Sequence, residues 1–183
     1  MDYKIKTVLV DSAGFARTIT RLAHEIIERN RGTERLVFVG MQTRGVFLAQ
    51  RIAKKIEEIE GIQLPVGVLD TTMYRDDFRT ALKQPQVRAT EIPFDLYNMN
   101  VVLMDDVLYT GRTVRAALDA LMDLGRPKRI QLAVLVDRGH RELPIKPDFV
   151  GRNVPTSINE EVRVRMSEVD SEDAVLLVEV QPS

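Results

Sequence analysis

The sequence predicts an α/β fold, with a mostly parallel central sheet and helices on both of its faces. Short apolar runs typical of buried strands alternate along the chain with segments in which apolar residues recur at helical spacing. Strands joined through helices in this way pair in parallel, and right-handed crossovers then place helices on the faces of the sheet. The 183 residues fit a single domain, 1–183, long enough to bury roughly 70% of its unfolded surface.

The first half of the chain supplies three strands and two helices. Asp11 is a typical N-cap, and the apolar residues that follow it predict a helix that ends near Asn30. A second amphipathic helix ends at Gly61, because glycine accepts the left-handed conformation that follows many helices. The strands of this half are predicted at 6–11, 35–40 and 65–70.

The second half contains the least regular parts of the chain. Residues from about 71 to 93 carry charges, glutamines and two prolines without a clear period, which predicts a long loop or a weak hairpin. Strands at 101–105 and 129–137 flank a helix that ends at Gly125. Prolines then punctuate short pieces, so we predict that residues from about 138 to 183 form a small hood and C-terminal strands.

Composition excludes several classes of function. The chain has no cysteine and two histidines, which excludes disulfides, thiolate catalysis and cysteine-ligated zinc and argues against a multi-histidine metal site. Its net charge of −1 predicts no general attraction to nucleic acid, although a local basic patch stays possible. Without a signal peptide or an apolar run of the ~20 residues that span a bilayer, the protein is expected to be cytoplasmic and to bind no membrane.

The stretch VVLMDDVLYTGRT, residues 101–113, joins an apolar strand to two acids and a polar turn. The turn lies where a helix begins, so unpaired N–H groups and the helix dipole favour a phosphate there, and Gly111 allows it to approach closely. A sugar phosphate satisfies both halves of the motif, because its hydroxyls donate to Asp105 and Asp106 while its phosphate lies in the turn. The alternative is an ordinary helix cap by Thr110 beside two solvated aspartates.

Two other nucleotide-binding patterns are missing. An apolar strand ending in two aspartates is also typical of the magnesium-binding strand of P-loop hydrolases, but the Gly-x-x-x-x-Gly-Lys-Ser/Thr loop occurs nowhere in the chain. The Gly-x-Gly-x-x-Gly fingerprint of dinucleotide-binding folds is missing as well.

VVLMDDVLYTGRT resembles the phosphoribosyl pyrophosphate (PRPP) signature of type I phosphoribosyltransferases. Over nearly the whole chain the sequence resembles the PyrR family, bifunctional regulators of pyrimidine operons that also have uracil phosphoribosyltransferase activity. The resemblance implies a type I phosphoribosyltransferase fold and, as an expectation, a homo-oligomer, a dimer or higher. It is carried by the blocks RLAHEIIERN, VGMQTRG, LDTTMYRDDF, DLGRP, QLAVLVDRGHRELPI and DFVGRNVPTS.

The resemblance also assigns residues to PRPP, uracil and UMP. It implies that Asp105 and Asp106 hold the ribose hydroxyls and that the loop at 43–45 holds the diphosphate, with Mg²⁺ bound through PRPP and no protein ligand assigned to the metal. Arg44 and the two aspartates are the expected catalytic residues, although Arg44 alone would pass for a solvated residue of a helix's first turn. The expected PRPP and UMP contacts are Thr43, Arg44, Gly45, Asp105, Asp106, Val107, Leu108, Tyr109, Thr110, Gly111, Arg112, Thr113 and, beside the uracil pocket, Arg138. The resemblance further implies that residues from about 71 to 93 are a flexible lid loop. Its expected lid residues are Tyr74, Arg75 and Asp76, in what would otherwise be a solvated hairpin.

An RNA-binding surface follows from the resemblance alone. Helical spacing places Thr20, Arg21 and His24 on one face, which by itself indicates a solvated surface. The resemblance implies instead that they bind pyrimidine (pyr) operon leader mRNA together with Arg141, Lys146 and Arg152. His140 is left open between a base contact, an RNA contact and a plain loop residue.

The expected function is therefore double: uracil and PRPP are converted to UMP and diphosphate, and operon mRNA is bound in response to UMP or UTP to attenuate expression. The alternatives are a salvage phosphoribosyltransferase that binds no RNA and an RNA-binding regulator whose pocket only senses nucleotides.

Overall fold

The structure, a computed structural model, describes residues 3–72 and 89–180. Its central sheet has five strands in the order β3-β2-β4-β5-β6, and every neighbouring pair is parallel. The elements are β1 Tyr3–Val10, α1 Ser12–Asn30, β2 Leu36–Met41, α2 Arg44–Glu60, β3 Val66–Leu69, β4 Asn100–Leu108, α3 Arg112–Leu124, β5 Arg129–Asp137, β6 Phe149–Asn153, β7 Glu160–Arg165, α4 Ser167–Asp170 and β8 Ala174–Val180.

The core has two parts, one on each face of this sheet. On one face α1 and α2 pack against the sheet through apolar residues such as Phe15, Leu22 and Ile52. On the other face α3 packs through Val114 and Leu121. Strand β2 is buried over its whole length, as expected for a strand covered on both faces. The predicted α/β class with helices on both faces is confirmed.

Local sequence signals define where the helices begin and end. The Asp11 carboxylate accepts a hydrogen bond from the Gly14 N–H at 2.7 Å and caps α1 as predicted. Gly61 terminates α2 in the left-handed conformation, with a φ of 70°. In the described part of the chain, no helix combines the length and the apolar character that crossing a membrane requires.

A second, three-stranded sheet has the order β1-β8-β7 and is antiparallel. The sequence analysis placed the strand near 6–11 in the alternating α/β pattern, but the structure pairs β1 with β8. It also assigned residues from about 138 to 183 to a hood, and the structure places β6 from that segment beside β5 in the main sheet. The second sheet thus joins the two ends of the chain.

Strand β4 is longer than the sequence predicted. It continues through both aspartates to Leu108, because β5 stays alongside and pairs Val107 with Val136 and Leu108 with Asp137. The predicted end at residue 105 is wrong for this reason. The following helix begins at Arg112, close to the predicted start near Gly111.

The first turn of α2 lies directly against β4. A β-carbon at Gly45 would overlap the carbonyl oxygen of Met104 and lie 3.2 Å from the Cα of Asp105. Gly45 therefore allows the loop before α2 to approach the acidic end of β4 more closely than any other residue would.

We expect Gly45→Ala to lower the free energy of unfolding by about 2 kcal/mol, because overpacking against a fixed backbone typically costs 1–3 kcal/mol. Gly61→Ala is the control: nothing lies within 4 Å of the added carbon, and only the left-handed conformation is strained, at a cost of about 1 kcal/mol. Urea denaturation of both variants measures the difference. A loss for Gly45→Ala no larger than that for Gly61→Ala would contradict the close contact.

Candidate functional site

The candidate site lies at the carboxyl ends of the central strands, where parallel α/β sheets bind their ligands. Three segments meet there: the loop before α2, the end of β4 with the turn at 109–111, and the connection between β5 and β6. Backbone hydrogen bonds join two of them, since the N–H groups of Glu142 and Leu143 both donate to the Thr110 carbonyl, at 2.9 and 3.2 Å.

Asp105 and Asp106 are half-buried on β4. Asp105 accepts a hydrogen bond from the Asp106 N–H at 2.9 Å, and Asp106 accepts one from the Val107 N–H at 3.0 Å. These local bonds fix one oxygen of each carboxylate against the strand. Two oriented acids at a ligand-binding edge are suited to accept hydrogen bonds from the hydroxyls of a sugar.

The turn at 109–111 and the first N–H groups of α3 form a cradle, where the sequence predicts a bound anion. Gly111, buried and with a φ of 91°, is the N-cap of α3 and provides no side-chain cap, so the first N–H groups of the helix are not capped by it. The Thr110 hydroxyl, considered as an ordinary cap in the sequence analysis, accepts from the Arg112 N–H at a long 3.3 Å. Arg112 forms an ion pair with Glu142 at 2.6 Å. The N–H groups of a helix start and the positive end of its dipole favour a phosphate.

Arg141 braces this cradle from the β5–β6 connection. Its guanidinium donates to the carbonyls of Tyr109 and Ile145 at 2.7 and 2.8 Å and to the Asp137 carboxylate at 2.7 Å. The sequence analysis assigned Arg141 to RNA. In the structure its three nitrogens hold the turn, the connection and the end of β5 together.

Arg138, Tyr109 and His140 form the wall beside the cradle. The buried Arg138 guanidinium lies 4.0 Å from the centre of the Tyr109 ring and donates to the Glu160 carbonyl at 2.6 Å. His140 meets Tyr109 edge-on at 6.0 Å, and its Nε2 lies 2.6 Å from the Thr156 carbonyl. The ring of Tyr109 is 42% exposed. A planar base is well suited to such a stacked arginine and aromatic ring.

The loop before α2 contains a cis peptide between Gln42 and Thr43. Arg44, the first residue of α2, turns its side chain toward the hood, where it donates to both oxygens of Asp170 at 2.8 and 3.0 Å. This position differs from the prediction that the Arg44 guanidinium lies at the diphosphate. Asp170 was missed because it lies 126 positions away and carries no local motif.

A second arginine of α2 holds the same part of the hood. Arg51 donates to Asp173 at 2.8 and 2.9 Å and to Glu168 at 2.6 and 2.8 Å. These hydrogen bonds lower the pKa of Glu168 and of Asp173 and raise the pKa of Arg51. At Asp170 burial opposes ionisation, but the hydrogen bonds from Arg44 and the Met166 N–H outweigh it and lower the pKa.

The described residues include no group of three or more histidine and acidic side chains that could hold a metal ion. The oxygen donors of Asp105 and Asp106 nevertheless fit Mg²⁺, which takes one or two carboxylates together with substrate phosphates rather than a cage of protein ligands.

A basic groove lies between the end of β1, the start of α1 and β6. It has a volume of about 580 Å³, and Arg17, Arg21, Arg152 and Asp11 line it. Arg21 donates to the Val150 and Gly151 carbonyls, and Arg152 donates to the Leu9 carbonyl. Arg17 was not predicted, and the available signal was its position four residues before Arg21, which places both on one face of α1.

Some of the remaining predicted site residues lie near the basic groove, and others lie elsewhere in the fold. Thr20 and His24 lie on α1 with Arg21, and His24 is exposed. Lys146 is exposed in the β5–β6 connection. Thr43 is the N-cap of α2, Thr113 lies in the first turn of α3, and Val107 and Leu108 end β4. The predicted lid residues Tyr74, Arg75 and Asp76 lie outside the described residues.

Comparison with known proteins places the chain among phosphoribosyltransferases. Residues 7–168 match the family model of the phosphoribosyl transferase domain. A bifunctional protein PyrR of Pelotomaculum thermopropionicum is 62% identical over 95% of this chain and 96% of its own, and one of Thermus aquaticus is 62% identical over 96% and 97%. The hypoxanthine phosphoribosyltransferase of Trypanosoma cruzi has the same fold, with a TM-score of 0.74 at 14% identity over 97% of this chain and 98% of its own.

Acid should weaken the fold through the carboxylates of the hood. Because the pKa values of Glu168, Asp170 and Asp173 are lowered by folding, the unfolded state binds more protons in the acid range. Their stabilisation is complete above their unfolded pKa values of about 4 and is lost as the pH falls below these through the lower folded values. Urea denaturation across this pH range should show that the free energy of unfolding falls less steeply with pH in Asp173→Asn than in the wild type. Parallel pH dependences would refute the contribution of Asp173 to acid sensitivity.

Proposed function

Because the chain belongs to the phosphoribosyl transferase domain family and, within it, to the bifunctional PyrR proteins, we propose that it converts uracil and PRPP to UMP and diphosphate and binds pyrimidine-operon mRNA in response to uridine nucleotides. One observation carries the enzymatic part: two oriented carboxylates on β4 lead into an N–H cradle at the start of α3. A phosphorylated ribose uses both at once.

In the proposed reaction the bond between the anomeric carbon and diphosphate breaks, and that carbon bonds to a ring nitrogen of uracil, which loses its proton. Asp105 and Asp106 orient the ribose through its hydroxyls, and the N–H groups at 111–113 with the Thr110 hydroxyl bind the 5′-phosphate. The loop at 43–45 receives the diphosphate. Mg²⁺ bound with PRPP would neutralise the charge that gathers on the leaving group.

The base-binding part of the proposal rests on Arg138 and Tyr109. Arg138 is buried and held from two sides, so its position does not depend on the ligand. Water must be kept from the ribose to prevent hydrolysis, and we assign that task to the segment around Tyr74, Arg75 and Asp76.

Replacing both Asp105 and Asp106 by Asn should reduce uracil phosphoribosyltransferase activity by about 100-fold, since a small misplacement of the reacting group typically costs this much. The substitutions keep the size of the side chains, so the thermal midpoint should change little. A radiolabelled uracil assay with PRPP and magnesium measures the loss, and activity near the wild-type value would rule out the ribose assignment. UMP formation by the wild type at a useful rate excludes the regulator that only senses nucleotides.

The RNA-binding part of the proposal is supported by the basic groove. The whole chain has a net charge of −1, so binding to RNA requires a local excess of positive charge. The groove has that excess, with three arginines and one aspartate. Thr20 and His24 extend its edge along α1, and both groups suit contacts to an unpaired RNA loop.

Lys146 and Arg141, two other proposed RNA contacts, differ in how accessible their charges are to RNA. Lys146 is exposed and available to a phosphate. Arg141 is engaged within the protein, so its effect on RNA binding would follow from the shape of the β5–β6 connection as well as from contact.

Arg21→Gln and His24→Ala should each weaken binding to the operon's leader RNA about tenfold, equivalent to about 1.4 kcal/mol. Uracil turnover should stay at the wild-type level, because the groove is separate from the cradle. Filter binding with and without UMP measures the effect. Arg29→Gln is the matched control, since it removes the same charge from α1 at a residue that faces Asp148. An equal loss in the control, or no UMP-dependent affinity in the wild type, would leave a salvage enzyme without RNA binding.

We further propose that the protein acts in the cytoplasm as a homo-oligomer. Ile5 and Val8 on β1 support an association of copies, because they are 46% and 56% exposed on a strand at the edge of the second sheet.

A further inference from the structure

We propose that Asp170 is a positioning residue: through Arg44 it fixes the loop at 43–45 in the shape that receives diphosphate. The inference rests on the proposed function, because it assigns the loop to the leaving group of PRPP. Asp170 lies in the hood and contacts no substrate. It would nevertheless belong to the residues that determine PRPP affinity.

The geometry around Arg44 is that of a two-point clamp. Nη2 of Arg44 lies 2.8 and 3.0 Å from the two oxygens of Asp170, and Nε lies 3.2 Å from one of them. Asp170 is itself fixed, because the same carboxylate accepts from the Met166 N–H at 2.9 Å. Bidentate arginine–carboxylate pairs define orientation as well as distance. The side chains are 31% and 21% exposed, so water screens the pair only in part.

The position of Arg44 explains why it needs such a partner. It is the first residue of α2, where the positive end of the helix dipole makes a cation unfavourable. The Asp170 carboxylate offsets that repulsion and holds the side chain toward the hood. Gly45, the next residue, lies in close contact with β4. The loop at 43–45 is therefore held by the Arg44–Asp170 clamp on the hood side and by the Gly45 contact on the β4 side.

Two roles for Arg44 then predict opposite effects. If Arg44 anchors the loop, loss of Asp170 loosens the loop and weakens diphosphate binding. If Arg44 must leave Asp170 to contact the diphosphate directly, loss of Asp170 frees the cation and strengthens binding. The hydrogen bonds to both oxygens of a fixed carboxylate favour the anchoring role, because Arg44 would lose these bonds if it left Asp170.

The Arg51 clamp provides a matched comparison within the same molecule. Arg51 lies two turns further along α2 and holds Asp173, three residues beyond Asp170, with two hydrogen bonds. Removing either carboxylate loosens the hood from α2. Only the removal of Asp170 takes a partner away from a residue of the loop at 43–45, which is Arg44.

The test compares Asp170→Asn, Asp173→Asn and Asp170→Glu with the wild type. We expect Asp170→Asn to raise the KM for PRPP and the inhibition constant of diphosphate about tenfold, equivalent to about 1.4 kcal/mol. The KM for uracil and the kcat at saturating PRPP should be unchanged. Asp173→Asn should leave all four constants at wild-type values, and Asp170→Glu should recover part of the PRPP affinity by restoring the carboxylate.

Calorimetric titration of magnesium diphosphate into each variant gives a measurement that does not depend on turnover, and thermal melting shows that each is folded. Equal effects of Asp170→Asn and Asp173→Asn would reduce Asp170 to a structural residue and overturn the proposal. A lower KM for PRPP in Asp170→Asn would overturn it in favour of direct contact by Arg44. If the wild type binds diphosphate but does not consume PRPP, the proposed enzymatic activity is refuted. The diphosphate affinities of the variants from titration then decide whether Asp170 positions the loop.

Discussion

The contact between the first turn of α2 and β4 is the constraint on which the site depends. Because Gly45 has no side chain, the helix start reaches the carbonyl of Met104 and the backbone of Asp105. This contact sets the separation between the loop at 43–45 and the acids of β4, and so the span available to a ligand with a charge at each end. The pairing of β2 with β4 places the two segments side by side, and the missing β-carbon closes the remaining gap.

The other half of the site depends on a connection without a helix. Between β5 and β6 the chain runs through a loop, and that loop supports the turn at 109–111 through Arg141 and two N–H groups donated to Thr110. The turn contains the positive φ of Gly111 and is poorly suited to stand alone. The turn that is proposed to bind the 5′-phosphate is therefore held in place by a segment that is distant in the sequence.

The sequence was sufficient for the features that local chemistry determines. Apolar patterns predicted four of the five strands of the central sheet and the three long helices, and Asp11 and Gly61 marked helix ends. That an anion binds at the end of 101–113 stays a prediction. Contacts between distant segments were not predictable. The pairing of β1 with β8, the fifth strand β6 and the pair Arg44–Asp170 each join residues that no local pattern relates, and burial in three dimensions decides them.

A series of hydrogen bonds joins the turn at 109–111, where the nucleotide is proposed to bind, to the groove proposed for RNA. Arg141 connects the Tyr109 carbonyl to Asp137, whose own carbonyl accepts from the Val154 N–H at 2.8 Å just beyond β6. On β6, Gly151 accepts from Arg21 in the groove. A continuous path of bonds is not itself coupling. UMP changes RNA affinity only if it binds two arrangements of this path unequally, and a ligand with equal affinity for both shifts nothing. The turn at 109–111 is the part of the path that touches the proposed phosphate, so any such difference must arise there.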